Sequence, residues 1–333
     1  MNIIKFMSKN RIGKPPWDYY FLKDLEEKEY PVYLAELFKL NTGENLPLLK
    51  EWSFKSGIMS YKIDKKKLKT FNQKIQWIKL YGITPLMQDC TDKVTVRDYV
   101  REHIGTEYLK PVLQIIPNDN NDISTCFDKI NFEKLPESFV IKCNHGCKWQ
   151  YIIKDKNNFL NNKRLFDIVK QNITGWLEQD YSLWGGFEMQ YNGILPQILI
   201  EKFLQNFREI EVYCFNGIPQ IFRLIHNKNT QNVSIFDKKL NNITGLKFLE
   251  EDYITDFDIN NIFKQTIDNI INLSIKLAEK FIFVRIDWLL FQEKFYFNEL
   301  TFTPFSGFCR IKNDKWNKIL GELINLERID NGF

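Results

Sequence analysis

Ile282-Phe283-Val284-Arg285-Ile286-Asp287-Trp288-Leu289-Leu290-Phe291-Gln292-Glu293-Lys294-Phe295-Tyr296-Phe297-Asn298-Glu299-Leu300-Thr301 holds two apolar runs separated by a short polar break. Runs of this length read as strands, so residues 282–290 and 295–300 form an antiparallel hairpin that turns at 292–294. A turn centred near Glu293 sets Asp287 opposite Glu299 and Arg285 opposite Thr301. Side chains alternate along a strand, so these four share one face and Ile286 and Trp288 take the other. Directly opposed β-carbons lie about 5 Å apart, and two carboxylates at that distance repel. Either a divalent cation bridges their oxygens, or Asp287 pairs with a cation such as Arg285; the spacing leaves both open.

A second anomaly is Lys142, which ends the apolar run Phe139-Val140-Ile141 just before Cys143-Asn144-His145-Gly146. An ammonium at the end of a buried strand either meets an anion, such as a nucleotide phosphate, or snorkels to solvent. Both readings fit the pattern.

Outward from these points, the chain divides by periodicity. Apolar residues recur at helical spacing over 31–40, 71–81, 95–104, 160–177 and 259–278, the last opened by Asp258 as its N-cap. Strands are expected at 139–142, 151–154 and 197–201, with a hairpin of 210–215 and 220–225 around Asn216-Gly217. The first third is thus mainly helical and the remainder α+β. The lysine-rich run 62–69 reads as a solvated surface.

At 333 residues and 44% apolar content the chain has material for two or three lobes. Its six cysteines are scattered, and no secretory leader precedes them, so we expect a reducing cytoplasm and no disulfide framework. No run has the length of a membrane span. A net charge of +4 is too mild to argue for nucleic acid, although it would not repel anionic substrates.

Several segments occur in a shared order: Thr70-Phe71-Asn72-Gln73-Lys74-Ile75-Gln76-Trp77, Asp92-Lys93 with Arg97-Asp98-Tyr99-Val100, and Phe139 to Gly146. Ile200-Glu201, Cys214-Phe215-Asn216-Gly217 and Glu299-Leu300-Thr301-Phe302-Thr303-Pro304 follow. Together they resemble the TupA-like branch of the ATP-grasp superfamily, which is linked to teichuronopeptide and surface-polysaccharide biosynthesis. The resemblance implies an α+β ATP-grasp fold. Its expected parts are a helical extension (1–70), an N-terminal subdomain (71–137), a lid (138–204) and a catalytic C-terminal lobe (205–333).

The same resemblance implies an ATP- and magnesium-dependent carboxylate–amine ligase acting through an acylphosphate. Its partners would be a small-molecule or saccharide carboxylate and an amine, with peripheral association to polysaccharide assembly. Lys93 and Lys142 would hold phosphates, and Glu201 with the backbone of Lys202, Phe203 and Leu204 would form the adenine hinge. Asp287 and Glu299 would ligate magnesium, with Thr301 where many relatives carry asparagine, and Arg285 would stabilise oxyanion charge. Arg97, Arg223 and Arg310 are candidates for binding carboxylate or phosphate groups.

The chain departs from the pattern in two places. Relatives usually follow His-Gly with a glycine-rich loop, whereas this chain has Cys147-Lys148-Trp149-Gln150; the loss restricts backbone approach to phosphate, and Lys148 can supply charge instead. Phe305 stands where relatives often have glycine after Thr-Pro.

Rival readings are a glycosyltransferase using Asp256-Phe257-Asp258, a zinc site at Cys143, His145 and Cys147, and an ATP-grasp phosphotransferase. No Gly-x-x-x-x-Gly-Lys or Gly-x-Gly-x-x-Gly stretch supports a P-loop or dinucleotide fold.

Overall fold

The computed structural model describes residues 66–331 except 67, 119–122, 185–187, 228, 250, 292–293, 308, 310 and 312. The helix expected at 31–40, and with it the helical extension, lies outside the described residues.

Three helices open the described chain. Helix α1 (Phe71–Tyr81) starts at a reciprocal capping box between Thr70 and Gln73 and ends at Gly82, as its periodicity implied. Its buried residues Phe71, Ile75 and Ile78 lie on one stripe. Helix α2 (Pro85–Thr91) begins with proline behind a Thr84 cap, and α3 (Val96–Ile104) follows one short loop later.

Strand β1 (Val112–Ile116) and the single-turn α4 (Ile123–Cys126) lead into β2 (Phe139–Cys143) and β3 (Gln150–Ile153). Next come α5 (Lys156–Asn161), α6 (Lys163–Leu177), the single-turn α7 (Tyr181–Trp184) and β4 (Ile198–Lys202). The single helix expected at 160–177 is two helices. Asn162 breaks it, because its side chain accepts the Leu165 amide and caps a new start.

Strands β1 to β4 form an antiparallel sheet in the order β1-β4-β2-β3. The sheet thus recruits 112–116 from ahead of the segment 138–204. On β2, Phe139, Ile141 and Cys143 pack with Val169, Ile173 and Leu177 of α6 in one core. Alternation then sends Val140 and Lys142 to the opposite face. On β4 the same rule buries Ile198 and Ile200 in that core and turns Leu199 and Glu201 away from it.

The second sheet is built from β5 (Arg208–Phe215), β6 (Ile218–Asn227), β7 (Asn232–Asp237), β8 (Tyr253–Ile254), β9 (Phe283–Phe291) and β10 (Lys294–Thr301). Its order is β10-β9-β5-β6-β7-β8, antiparallel except for the β7/β8 pair. The β5/β6 turn uses Asn216 and Gly217 at φ 51° and 82°, the geometry that an Asn-Gly hairpin requires. Helix α8 (Ile259–Ala278) packs beneath this sheet, and Trp288 donates its indole N–H to Ser274 on the helix at 3.0 Å. Trp288 is fully buried, which contributes about 2–3 kcal/mol on an area basis. Because Ile286 and Trp288 face the helix side, Arg285 and Asp287 face away from it. Helix α9 (Asp314–Glu322) closes the core at α1, where Gly321 meets the Lys69 to Phe71 backbone too closely for a side chain.

Candidate active site

The free faces of the two sheets enclose a cleft. Its walls include Lys142, Lys148 and residues 201–204 from the first sheet and its loops, Lys93 from between α2 and α3, and Glu209, Leu289 and Glu299 from the second sheet. All the residues expected to bind a nucleotide line it. Asp287, Thr301 and Arg285 are not part of that lining but adjoin it through Glu299.

The first wall is organised around Glu201. Lys142 sits diagonally across the β2/β4 ladder, and its Nζ lies 2.6 Å from Glu201 Oε2. Lys110, next to β1, reaches the same oxygen at 3.0 Å and the Asn298 side chain of the second sheet at 2.8 Å. Burial opposes charge on Glu201, but Lys142 and Lys110 outweigh it and hold its pKa far below the usual carboxylate range. Burial and then repulsion from Lys142 push Lys110 down to about 8, while Glu201 overcomes burial and raises Lys142. Lys142 therefore does not snorkel; it is held in an ion pair. Lys110 is missing from the sequence reading, and its only signal was a lysine standing before Pro111 and an apolar run.

Lys93 enters from the other side of the wall. Its ammonium contacts the carbonyls of Gly146 and, at 3.3 Å, Asn144. Asn144 is the hub beneath it, donating to Asp92 and to the Leu195 carbonyl at 2.9 Å each and accepting the Gln197 amide at 2.7 Å. Both His145 ring nitrogens are engaged, with Asn144 Oδ1 and the Trp176 carbonyl, and burial with the Lys93 charge pushes its pKa down to about 4. Cys143 points into the core toward the Ile173 carbonyl, whereas Cys147 is exposed. The zinc reading fails because these side chains diverge, and among the described residues the one convergent ligand group is Glu209, Glu211 and Asp287.

The altered loop keeps a glycine's geometry without the glycine. Lys148 takes φ 60°, and Trp149 turns inward, stacked on Trp176 at 6.2 Å and edge-on to His145 and Tyr181. A β-carbon at Gly146 would meet the Trp149 ring at 2.2 Å. Indole packing thus fixes the loop and leaves the Lys148 side chain on the cleft. Phe305 behaves similarly at the glycine-like position after Pro304, with φ 52° and its ring 6.0 Å from the Arg285 guanidinium.

On the second wall, Asp287 does face Glu299 and Arg285 faces Thr301. The route differs from the expected one. Phe291 pairs with Lys294 and Trp288 with Phe297, a register that would set Asn298 against Asp287; a bulge at Asn298 advances the strand by one residue. The bulged Asn298 is the residue that meets Lys110.

Arg285 holds this face together. Its Nε and Nη2 grip the two Asp287 oxygens at 2.7 and 2.6 Å, and Nη2 also reaches Glu299 Oε1 and Thr301 Oγ1 at 3.2 Å each. Strand β5 brings Glu211 opposite Asp287 and Glu209 opposite Leu289, two carboxylates that the hairpin alone did not reveal. Burial raises the Asp287 pKa well above its usual value despite Arg285, with Glu299 and Glu211 adding repulsion. The donors are all oxygen and their negative charge exceeds what Arg285 neutralises, so Asp287, Glu299 and Thr301 fit a hard dication such as magnesium.

Of the arginine candidates, Arg97 lines the cleft and donates to the Lys110 carbonyl at 2.9 Å. Arg223 is a correction: it is 2% exposed and bound to Glu211 and Asp252, so no substrate reaches it. Arg310 lies outside the described residues. Asp256 and Asp258 are exposed and away from the cleft lining, which removes the support for a nucleotide-sugar site. A buried cluster was also missed, in which Lys79 donates to the Ser306 carbonyl at 2.8 Å and Glu188 bonds Thr303.

A lysine-rich wall on one sheet thus faces a carboxylate-rich wall on the other across the cleft. The TupA-like ATPgrasp family model matches residues 73–325, and the chain belongs to that family and has the ATP-grasp fold. Among solved structures, the D-alanine–D-alanine ligase of Bacillus anthracis is similar at 14% identity and a TM-score of 0.44, covering 77% of this chain and 75% of that one. The Helicobacter pylori enzyme of the same name gives 12%, 0.40, 77% and 69%. Biotin carboxylase of Campylobacter jejuni gives 12%, 0.39, 86% and 52%, so this chain spans about half of it. A search of curated proteins returns no match. No helix among the described residues is long and apolar enough to cross a membrane.

Proposed function

We propose that the protein is an ATP- and magnesium-dependent carboxylate–amine ligase. It would work in the cytoplasm, amidating an acidic sugar or related carboxylate in capsular or other surface-polysaccharide biosynthesis. The observation that carries this reading is the convergence of Lys93, Lys142, Lys148 and residues 201–204 on one cleft with Glu299, which Arg285 links to Asp287.

In this reading Lys93, Lys142 and Lys148 neutralise the phosphates, and Phe203 and Leu204 with the 202–204 backbone hold adenine. Asp287, Glu299 and Thr301 would hold magnesium, which supplies charge neutralisation for phosphoryl transfer. The carboxylate oxygen of the substrate takes the terminal phosphoryl group and ADP leaves. The amine then attacks the acyl carbon, forming C–N as C–O breaks, and phosphate departs with the proton that the amine nitrogen releases. Arg285, which adjoins the cleft through Glu299, would offset the oxyanion charge that develops at each step. Sheet closure excludes water, which would otherwise hydrolyse the acylphosphate. No protein nucleophile is needed, because positioning and charge do the work.

The test is ATP turnover with a panel of uronic acids plus hydroxylamine, which traps an acylphosphate as a hydroxamate. Hydroxamate that requires both magnesium and one particular acid supports the reading. ADP with a phosphorylated sugar and no hydroxamate would make the protein a phosphotransferase, and sugar transfer from a nucleotide donor without ATP would overturn both.

A further inference from the structure

Arg223 on β6 lies opposite Glu211 on β5, which lies opposite Asp287 on β9, which lies opposite Glu299 on β10. Four charged residues thus form one transverse row across four neighbouring strands. Arg223 Nη1 donates to Glu211 Oε2 at 3.0 Å, and Tyr213 donates to the same oxygen at 2.9 Å. The other Glu211 oxygen lies 3.8 Å from Arg285 Nη1, the guanidinium nitrogen that Asp287 does not use. At the far end, Arg223 Nη2 donates to Asp252 at 2.6 Å, and Asp252 accepts the Phe248 and Leu249 amides at 3.1 Å each. The row is therefore anchored in backbone at one end and open to the cleft, at Glu299, at the other.

Networks of buried charge stabilise a fold little more than apolar residues of equal volume would, so stability alone does not account for this one. The Arg223 Nε is buried without a hydrogen-bond partner, which adds to its cost. The chemistry of the row gives it another use. Glu211 beside Asp287 would repel it, and Arg223 cancels that charge while leaving one Glu211 oxygen turned toward Arg285.

We propose that Arg223 and Glu211 are positioning residues. Asp287 grips two nitrogens of the Arg285 guanidinium, Glu211 holds the third side by charge at 3.8 Å, and Arg223, clamped by Asp252, fixes Glu211. The proposal rests on the ligase reading for what Arg285 does, but not for how it is held.

The test uses Glu211→Gln, Arg223→Lys, Arg223→Met and Arg285→Lys in the full chain. The guanidinium Nε–H of Arg285, assigned by its loss in Arg285→Lys, is followed by proton–nitrogen correlation spectra. The resonance should move and exchange about tenfold faster with solvent in Glu211→Gln and Arg223→Met, with partial recovery in Arg223→Lys. A nonhydrolysable ATP analogue should still bind within about twofold of wild type, while kcat for hydroxamate formation falls about tenfold or more at nearly constant KM for ATP. The Glu211→Gln/Arg285→Lys double variant should be no slower than Arg285→Lys alone. An unchanged resonance in Glu211→Gln, or losses that multiply in the double variant, would overturn the proposal. Glu211→Gln is nearly isosteric and keeps the test alive if Arg223→Met does not fold. If the wild type forms no hydroxamate, the ligase reading fails while the resonance still decides the positioning.

Discussion

The two walls of the cleft carry opposite problems and solve them in the same way. On the first sheet, Lys110 and Lys142 share one carboxylate, Glu201, with Lys93 and Lys148 close by on the same cleft. On the second sheet, Glu211, Asp287 and Glu299 share Arg285 and Arg223, with Glu209 beside them. Each wall is held by an internal counterion, and Lys110 bridges the two by donating to Asn298 at 2.8 Å. The difference in sign is what the proposed function uses: the lysines would meet a polyphosphate and the carboxylates a metal. A nucleotide with its cation satisfies both at once.

Breaking the first wall at its counterion should have the largest effect. Glu201→Gln leaves two buried lysines without their anion and should cost about 3–5 kcal/mol in urea unfolding. An unchanged midpoint would mean that the lysines find other partners. On the second wall, Asp287→Asn keeps the shape and removes charge; ATP turnover should fall on the order of 10²–10³-fold with the fold intact. A variant that turned over normally would take Asp287 out of the site.

The pH response separates the walls further. His145, beneath the lysine wall, has its pKa pushed down to about 4 from 6.5, so the unfolded chain binds the extra proton between those values. Its contribution is complete above pH 6.5 and is lost as pH falls toward 4, amounting to about 3 kcal/mol. His145→Gln should flatten that part of the stability–pH curve relative to wild type. The smallest effect belongs to Lys148→Gly. Relief of the left-handed backbone, about 1–2 kcal/mol, is offset by about 0.5–1 kcal/mol of glycine entropy, so stability should change little. Analogue affinity, measured by calorimetry, should drop severalfold because the cleft loses a cation.

How much of this was legible in the sequence follows from which contacts are local. Hairpin alternation was enough to put Arg285, Asp287, Glu299 and Thr301 on one face, and an apolar run ending in Lys142 marked the other wall. The Asp287 to Glu299 pairing was reached through a turn centred near Glu293, whereas the structure pairs Phe291 with Lys294 and reaches it through a bulge at Asn298. Bulges leave no mark in period-two alternation until the partner register is known. Glu209 and Glu211 stayed hidden because β5 pairs with β9 across a long stretch of intervening chain, and no local pattern encodes that neighbour. Lys110 and Arg223 were missed or misassigned for the same reason, their roles being set by residues distant in sequence. The glycine-poor loop gave no sign in the sequence that Lys148 would take φ 60° and that Trp149 would pack inward against Trp176.

The central claim is that the two walls bind nucleotide and magnesium cooperatively. Calorimetric titration of a nonhydrolysable ATP analogue, with and without magnesium, into wild type and Asp287→Asn tests it most directly. Wild type should bind at least about tenfold more tightly with magnesium, and Asp287→Asn should lose that enhancement while keeping the metal-free affinity. Equal affinity with and without magnesium in wild type would contradict the account.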